Sequence, residues 1–290
     1  MEIEIINKRT NLSISLSSYI NPSGILINKF DPGKVSAKFN KTKSIKQNGY
    51  TLLSTTLEDR EVDLEATIIA SDRTERDTLK RMVDEVLNPL DTLIIKYNNV
   101  EVRREIVCSA EETPSYATEF KNNNNFILKF NISFECFKPF WVDQEENILN
   151  VETWEGGFEF EFQLSDEGLE FARKGPNEIE INNYGNVESP LEIYFKGPAL
   201  NPSIVLNDSK YIKVNRILLE DEILYINTSY YDKRVQVIRN DIVQQAYHYI
   251  DIESTFFDLG TGTNKVSYST EGDYLPQQVI IKYKNHYYSV

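Results

Sequence analysis

Cysteine and histidine are scarce: the 290 residues hold two of each, and neither histidine lies near a cysteine in sequence. That excludes a disulfide-framed scaffold and a zinc site with the usual ligand spacing. Cys108 and Cys136 each sit in an apolar, strand-like run. They read as buried, unreactive thiols, with a bridge between neighbouring strands left open. No stretch approaches the ~20 consecutive apolar residues of a membrane span. Residues 1–11, MEIEIINKRTN, show neither an apolar signal core nor a cleavage pattern. The expectation is a protein made in the cytosol that stays soluble and touches no membrane. Basic excess is also missing, with 31 Lys and Arg against 45 Asp and Glu. This excludes a chain that grips nucleic acid over its whole surface.

Motifs of catalysis are absent as well. The sequence has no Gly-x-Ser-x-Gly elbow, no Walker-type phosphate loop and no dinucleotide fingerprint. Gly260-Thr261-Gly262 lacks a following helix and reads as a β-turn. Glu159/Glu161 and Glu178/Glu180 are i, i+2 carboxylate pairs, each on one strand face. Glycoside cleavage needs carboxyls about 5–9.5 Å apart across a sugar, but solvent-facing alternation in an acidic segment gives the same pattern. No catalytic, cofactor or metal residues are assigned, and an enzyme is not expected.

The charge is unevenly spread. Residues 1–142 carry 19 basic and 20 acidic side chains, whereas residues 143–290 carry 12 and 25. Such asymmetry points to two modules, expected at 1–141 and 142–290. In the first, Val62, Leu64, Ala66 and Ile68 alternate with polar residues as in a half-buried strand. A single helix is expected next, capped by Asp72 with Glu75 as returning carboxylate. Its apolar stripe is Leu79, Met82, Val83, Val86 and Leu87, and Pro89 helps to stop it. Two β-rich runs around Asn98-Asn99 read as a hairpin. Phe126, Leu128, Phe130, Ile132 and Phe134 mark the clearest alternating strand, before an exit at Lys138-Pro139-Phe140-Trp141.

The second module shows no convincing helix. Short β-rich runs at 178–182, 191–195, 211–215, 222–227, 234–238, 265–269 and 278–283 stand between turn residues, which argues for an antiparallel β-sandwich. Of the 17 tyrosines many lie here, suited to packing or to stacking on sugars. One basic patch stands out. Lys29, Lys34, Lys38, Lys41, Lys43 and Lys46 crowd residues 29–46 with Asp31 the only acid. It is read as a solvated loop or as a contact to a neighbouring subunit, because no aromatic interleaving marks a nucleic-acid groove.

Several segments, taken in order, resemble a known family. They are Asn21-Pro22-Ser23-Gly24-Ile25, the strand DREVDLEATIIA, the helix RDTLKRMVDEVLNPL and the closing FNISFECFKPFW. The second half adds INNYGNVESPLEIYFKGPALNPSIVL, LEDEILYINTSYYDKRVQV (with Glu220-Asp221-Glu222 where glycine is usual), STFFDLGTGTNKVSYS and VIIKYKNHYYSV. Together they are similar to the distal tail proteins of long-tailed phages, the siphovirus-type tail components. The resemblance implies a mainly β chain: an N-terminal tail-tube-like β-sandwich with one flanking helix, and a C-terminal galectin-like antiparallel β-sandwich. It further implies a homohexameric ring at the tail tip of a virion or prophage particle. That ring would join the tail tube protein to the tail-associated fibre-hub protein and to receptor-binding proteins, with DNA passing the lumen unbound. The alternative is a carbohydrate-binding module acting in recognition of the host wall. A glycan-degrading enzyme acting through Glu159 or Glu161 is the weakest of the three.

Overall fold

The computed structural model describes residues 1–19, 22–151, 154–156, 172–174, 177–272, 276 and 278–290, with only the backbone described at 154–156 and 172–174. Two compact units partition the chain. One is Met1–Gln144 together with Tyr287–Val290, and the other is Glu145–His286.

The first unit is built on one sheet. Its strands are β1 (Glu2–Asn7), β2 (Ser13–Ser17), β3 (Ile25–Asp31), β6 (Arg60–Ile69), β7 (Leu93–Asn98), β8 (Arg103–Ala110), β9 (Ser115–Tyr116), β10 (Ile127–Cys136) and β11 (Trp141–Asp143). They run in the order β11-β8-β7-β1-β2-β3-β6-β10-β9. A further pairing of β10 with β8, Phe134 opposite Ala110, closes the sheet on itself. Between β3 and β6 the chain leaves this sheet as an antiparallel hairpin, β4 (Ala37–Thr42) and β5 (Thr51–Leu57).

Alternation decides which side of each strand faces the core. On β6, Val62, Leu64, Ala66 and Ile68 are all buried, and opposite them on β10 so are Leu128, Phe130, Ile132 and Phe134. Phe126 lies one residue before β10 and is 55% exposed. The helix α1 (Arg73–Val86) begins at Asp72, whose carboxylate accepts from the Thr74 and Glu75 amides at 2.7 and 2.9 Å. Glu75 reaches one residue further back than expected, accepting from the Ser71 amide and hydroxyl at 2.7 and 2.5 Å rather than from the cap itself. Val83, Val86 and Leu87 bury fully on the core, Leu79 partly, and Met82 turns outward. The stripe is therefore narrower than the spacing predicts.

Trp141, in the expected exit segment, is fully buried against Phe30 and Tyr97, with ring centroids 6.5 and 6.4 Å away. It belongs to the core of the first unit. Cys108 and Cys136 are free, buried thiols.

The second unit packs two antiparallel sheets around a second core. Its strands are β12 (Asn147–Val151), β13 (Trp154–Gly156), β14 (Ala172–Lys174), β15 (Glu178–Asn183), β16 (Leu191–Lys196), β17 (Ala199–Leu200), β18 (Ser203–Leu206), β19 (Lys210–Lys213), β20 (Ile217–Leu218), β21 (Ile223–Asn227), β22 (Arg234–Arg239), β23 (Ile242–Gln245), β24 (Gly262–Ser269) and β25 (Gln278–Tyr283). One sheet has the order β12-β25-β16-β21-β22-β23 and the other β15-β24-β18-β19. Ile193, Phe195, Leu224 and Ile281 of the first meet Ile204, Ile212, Val266 and Tyr268 of the second in one buried cluster. Apart from a short 3₁₀ turn at Tyr247–Tyr249, no helix occurs in this unit among the described residues.

Tight turns hold the sandwich in register. Asn207 and Asp208 adopt left-handed φ values of 49° and 52°, which Asn and Asp tolerate best among residues with a side chain. Asn264, 2% exposed, stitches the Gly260-Thr261-Gly262 turn by donating to the Gly260 and Gly262 carbonyls at 2.7 and 2.9 Å. The segment is a bend held by this side chain, and Gly262 is already the first residue of β24.

Candidate functional site

The lysine-rich segment becomes a projecting hairpin. Every residue of β4 and β5 is exposed. Lys38 and Lys41 lie on β4, Lys43 and Lys46 in the turn, Lys34 in the connection leading in and Lys29 on β3, so the six are spread from the root of the arm to its tip. All are exposed. Lys38 meets Glu58 at 3.7 Å, and the ammonium groups of Lys41 and Lys43 stand 4.7 and 5.5 Å from the centre of the Tyr50 ring. Apolar side chains accompany them: Phe39 is 58% exposed, Leu52 57%, Leu53 67% and Ile45 95%. A two-stranded hairpin with no core of its own is marginal in water. An arm this long, with large apolar groups bare, is a surface that has yet to be covered.

The root of the arm is fastened by one buried side chain. Arg60, the first residue of β6, is fully buried and pairs with no carboxylate among the described residues. Its guanidinium donates from Nε to the Pro139 carbonyl at 2.8 Å, from Nη1 to those of Pro32 and Gly33 at 3.0 Å each, and from Nη2 to that of Tyr288 at 2.5 Å. One side chain thus fastens the start of the arm, the segment before β11 and the last residues of the chain. Burial pushes its pKa down, and the four carbonyl dipoles replace the water it has lost. Gly33 makes the approach feasible. Its φ is +73°, and a Cβ there would lie 1.8 Å from the Glu61 carbonyl oxygen. Arg104 secures the same terminal residues by stacking 3.5 Å above the Tyr287 ring and donating to the Ser289 carbonyl. The sequence reading missed Arg60, although the signal was there: it shares its parity with Val62, Leu64, Ala66 and Ile68 and so had to point inward.

A second clasp lies at the end of the helix. Arg9 reaches Asp91 with Nε and Nη2 at 2.6 and 2.9 Å, and buried Asn7 donates from Nδ2 to Asp91 at 2.9 Å and to the Val86 carbonyl at 3.1 Å. These bonds hold the Asp91 carboxyl below the usual carboxylate range, the hydrogen bond from Arg9 contributing most.

The remaining sequence candidates separate. Glu159 and Glu161 lie outside the described residues, as does Asn21 of the first motif. Glu178 and Glu180 both face solvent, and Glu178 pairs with Lys265 at 2.8 Å. They form the polar face of a half-buried strand. In the second unit Glu222, where glycine was expected, is 4% exposed and accepts from Arg216 at 2.6 Å and from the Leu219 amide at 3.0 Å. It bridges its own turn instead of opening it. Asn183 and Gly185 show why an Asn-x-Gly segment stands before β16. The amide donates to the Val187 and Leu259 carbonyls at 2.9 and 3.2 Å, and a Cβ at Gly185 would come within 2.4 Å of the His286 carbonyl. No cluster of metal-ligating side chains occurs among the described residues, and no helix there is long and apolar enough to cross a membrane.

Two family profiles match the chain and together span well over half of it. The phage tail protein RIFT-related domain matches residues 14–136, and the siphovirus-type tail component, C-terminal domain, matches residues 184–287. The chain belongs to the siphovirus-type tail component family. Solved structures agree on the fold of this tail component. The Dit protein of phage SPP1, described as a paradigm of the hub adsorption apparatus in phages infecting Gram-positive bacteria, is 13% identical, with a TM-score of 0.66 over 98% of both chains. A chain of the phage P2 baseplate in its activated conformation with Ca is 11% identical, with a TM-score of 0.54 over 98% of this chain and 97% of that one. The corresponding baseplate with Sr gives 0.53. No curated protein matches in sequence.

Proposed function

We propose that this tail component is the distal-tail hub of a phage or prophage particle: a homohexameric ring formed through the first unit. In this reading the ring joins the last turn of the tail tube protein to the tail-associated fibre-hub protein and receives receptor-binding proteins. DNA passes the lumen without specific contacts. The role is structural and not enzymatic. The protein is made in the host cytoplasm and ends in the virion at the tail tip.

One observation carries the proposal beyond family membership: the bare arm of β4 and β5. Its apolar groups gain ~1.5–3 kcal/mol each when fully covered, and a second copy in a closed ring supplies that cover symmetrically, six times over. Lys29, Lys34, Lys38, Lys41, Lys43 and Lys46 are then contact residues set against acidic groups of the neighbouring copy. The near balance of charge in residues 1–142 suits such packing, since like-charge excess would oppose it.

Negative-stain images and light scattering of the full chain, alone and with the tail tube and fibre-hub proteins, test this. Six-fold rings are expected. A species that stays monomeric even with both partners overturns the reading.

A further inference from the structure

Cys108 on β8 and Cys136 at the end of β10 are both free and buried. Strand register brings them together. β8 and β10 meet in the short ladder that closes the sheet of the first unit on itself, with Phe134 opposite Ala110 and Glu135 opposite Ser109. One step further along the same register sets Cys136 opposite Cys108. Each shares the inward parity of its strand, Cys108 with Ala110 and Cys136 with Phe134, so both side chains enter the core from neighbouring strands.

The spacing suits a covalent bond. The Glu111 amide donates to the Ser133 carbonyl at 3.1 Å, which marks that pair as hydrogen-bonded. Bonded and non-bonded pairs alternate along an antiparallel ladder. Counting on from Glu111 and Ser133, Cys108 and Cys136 fall at a non-bonded position, where opposite Cα atoms lie ~4.5 Å apart and side chains come closest. A disulfide spans Cα separations of ~4.4–6.8 Å. The thiols also feel each other: burial pushes Cys108 well up, and the adjoining Cys136 adds to the rise.

The two sulfurs are not equivalent. Cys136 is the last residue of β10, next to exposed Phe137 and Lys138. Fraying of that strand end is enough to uncover it. Arg60 stands opposite Cys136 in the β6–β10 ladder, near enough for their charges to interact. Negative charge passing through Cys136 Sγ during exchange therefore forms beside a cation. Cys108 lies inside β8, opposite Leu93 of β7 on its other side, and its burial keeps it protonated at neutral pH.

We propose that Cys108 and Cys136 form a redox-controlled lock: free thiols in a reducing cytosol, and a disulfide joining β8 to β10 once small disulfides such as oxidised glutathione surround the protein. Cys136, as thiolate, attacks one sulfur of the small disulfide, whose S–S bond breaks and releases one thiol. Cys108 then gives up its proton and attacks Cys136 Sγ, and the mixed disulfide breaks to release a second thiol. Two protein thiols are oxidised, and one small disulfide is reduced to two thiols that take up both protons. Closure of the sheet, otherwise carried by a two-pair ladder, becomes covalent. The step needs a single chain, so its success or failure is separate from that of the hub reading.

The test is to incubate the fully reduced full chain, folded, with oxidised glutathione and to follow intact mass, peptide maps and thermal unfolding. The mass should fall by two hydrogens, and one linked peptide pair should hold Cys108 and Cys136. The thermal midpoint should rise by roughly 5–10 °C, and dithiothreitol should reverse all three changes. Cys108→Ala should stop at a glutathione adduct on Cys136, whereas Cys136→Ala should stay largely unmodified. If either variant misfolds, the wild-type measurements decide alone. Thiols that both stay free in the folded chain overturn the proposal. So does a lasting glutathione adduct on the wild type, or a bonded chain whose midpoint has not risen.

Discussion

Two antiparallel strand pairs of the first unit have the same secondary structure and opposite burial. Along β6 and β10 every second residue is buried, and the pair crosses the core over its whole length. Along β4 and β5 no residue is buried at all. Both pairs are antiparallel, and a single register shift between Asn40 and Lys41 of β4 is too small a difference in backbone bonding to account for the contrast. The difference lies in what the side chains reach. β6 and β10 are fixed by their own chain, whereas β4 and β5 keep Phe39, Leu52 and Leu53 bare. A strand pair that spends apolar residues on solvent is explained by assembly more readily than by folding.

Truncation should break this symmetry first. Phe134→Ala on β10 removes a fully buried ring and is expected to lower unfolding stability by about 3–5 kcal/mol. Phe39→Ala on β4, the same chemistry at an exposed site, should stay within about 0.5 kcal/mol. Urea unfolding of the two variants measures the gap. Equal losses would mean that the arm is folded back onto its own unit in solution.

Next in size is the joint between the two regions. Arg60→Met leaves four carbonyls without their donor, at a cost of about 3 kcal/mol or more, and also loosens the start of the arm and the terminal residues. Arg60→Lys keeps the charge but cannot serve four acceptors in one plane, so it should recover only part of the loss. Hydrogen exchange at residues 33–37 and at the C-terminus should rise in both variants. Unchanged protection there would deny Arg60 its clasping role.

Acid should loosen the body alone, and more gently. The folded pKa of Asp91 lies below its unfolded value, so the stability it contributes is complete above about pH 4, the unfolded carboxylate pKa, and drains away as pH falls through the folded one. Asp91→Asn should flatten that part of the stability–pH curve. Because Arg9 is 65% exposed, salt should flatten it too. A wild-type curve that Asp91→Asn leaves unaltered would assign the acid sensitivity elsewhere.

How much of this could be read from the sequence depends on where the signal sits. Strands with one face buried announce themselves by period two, so β6, β10, β16, β21 and β25 are legible. So is α1, through its cap and stripe. Strands without that contrast are not. β4, β5 and β23 are exposed on both faces, and β18 is short. The return of Tyr287–Val290 to the first unit depends on Arg60 and Arg104, 228 and 185 residues from their partners in the chain, and no local pattern encodes it. The lysines of the arm were visible as a cluster, but its apolar side chains, which say more about assembly, were diluted among threonines and serines.

The smallest effect on folding should be the most informative for the arm. Lys41→Glu with Lys43→Glu reverses two exposed charges that stand over the exposed Tyr50 ring, so stability should move by no more than about 0.5 kcal/mol. If these lysines face acidic groups on a neighbouring copy, assembly must respond instead. Wild-type ring formation should weaken as salt rises, because exposed charges are screened within ~10 Å at 0.1 M. The double variant should assemble poorly at low salt and improve as salt is added, since screening then removes a repulsion. Sedimentation at several salt concentrations reads both slopes. Opposite signs would place the lysines in the contact. Parallel slopes would leave them as solvated charges, and the apolar residues Phe39, Leu52 and Leu53 would carry the contact alone.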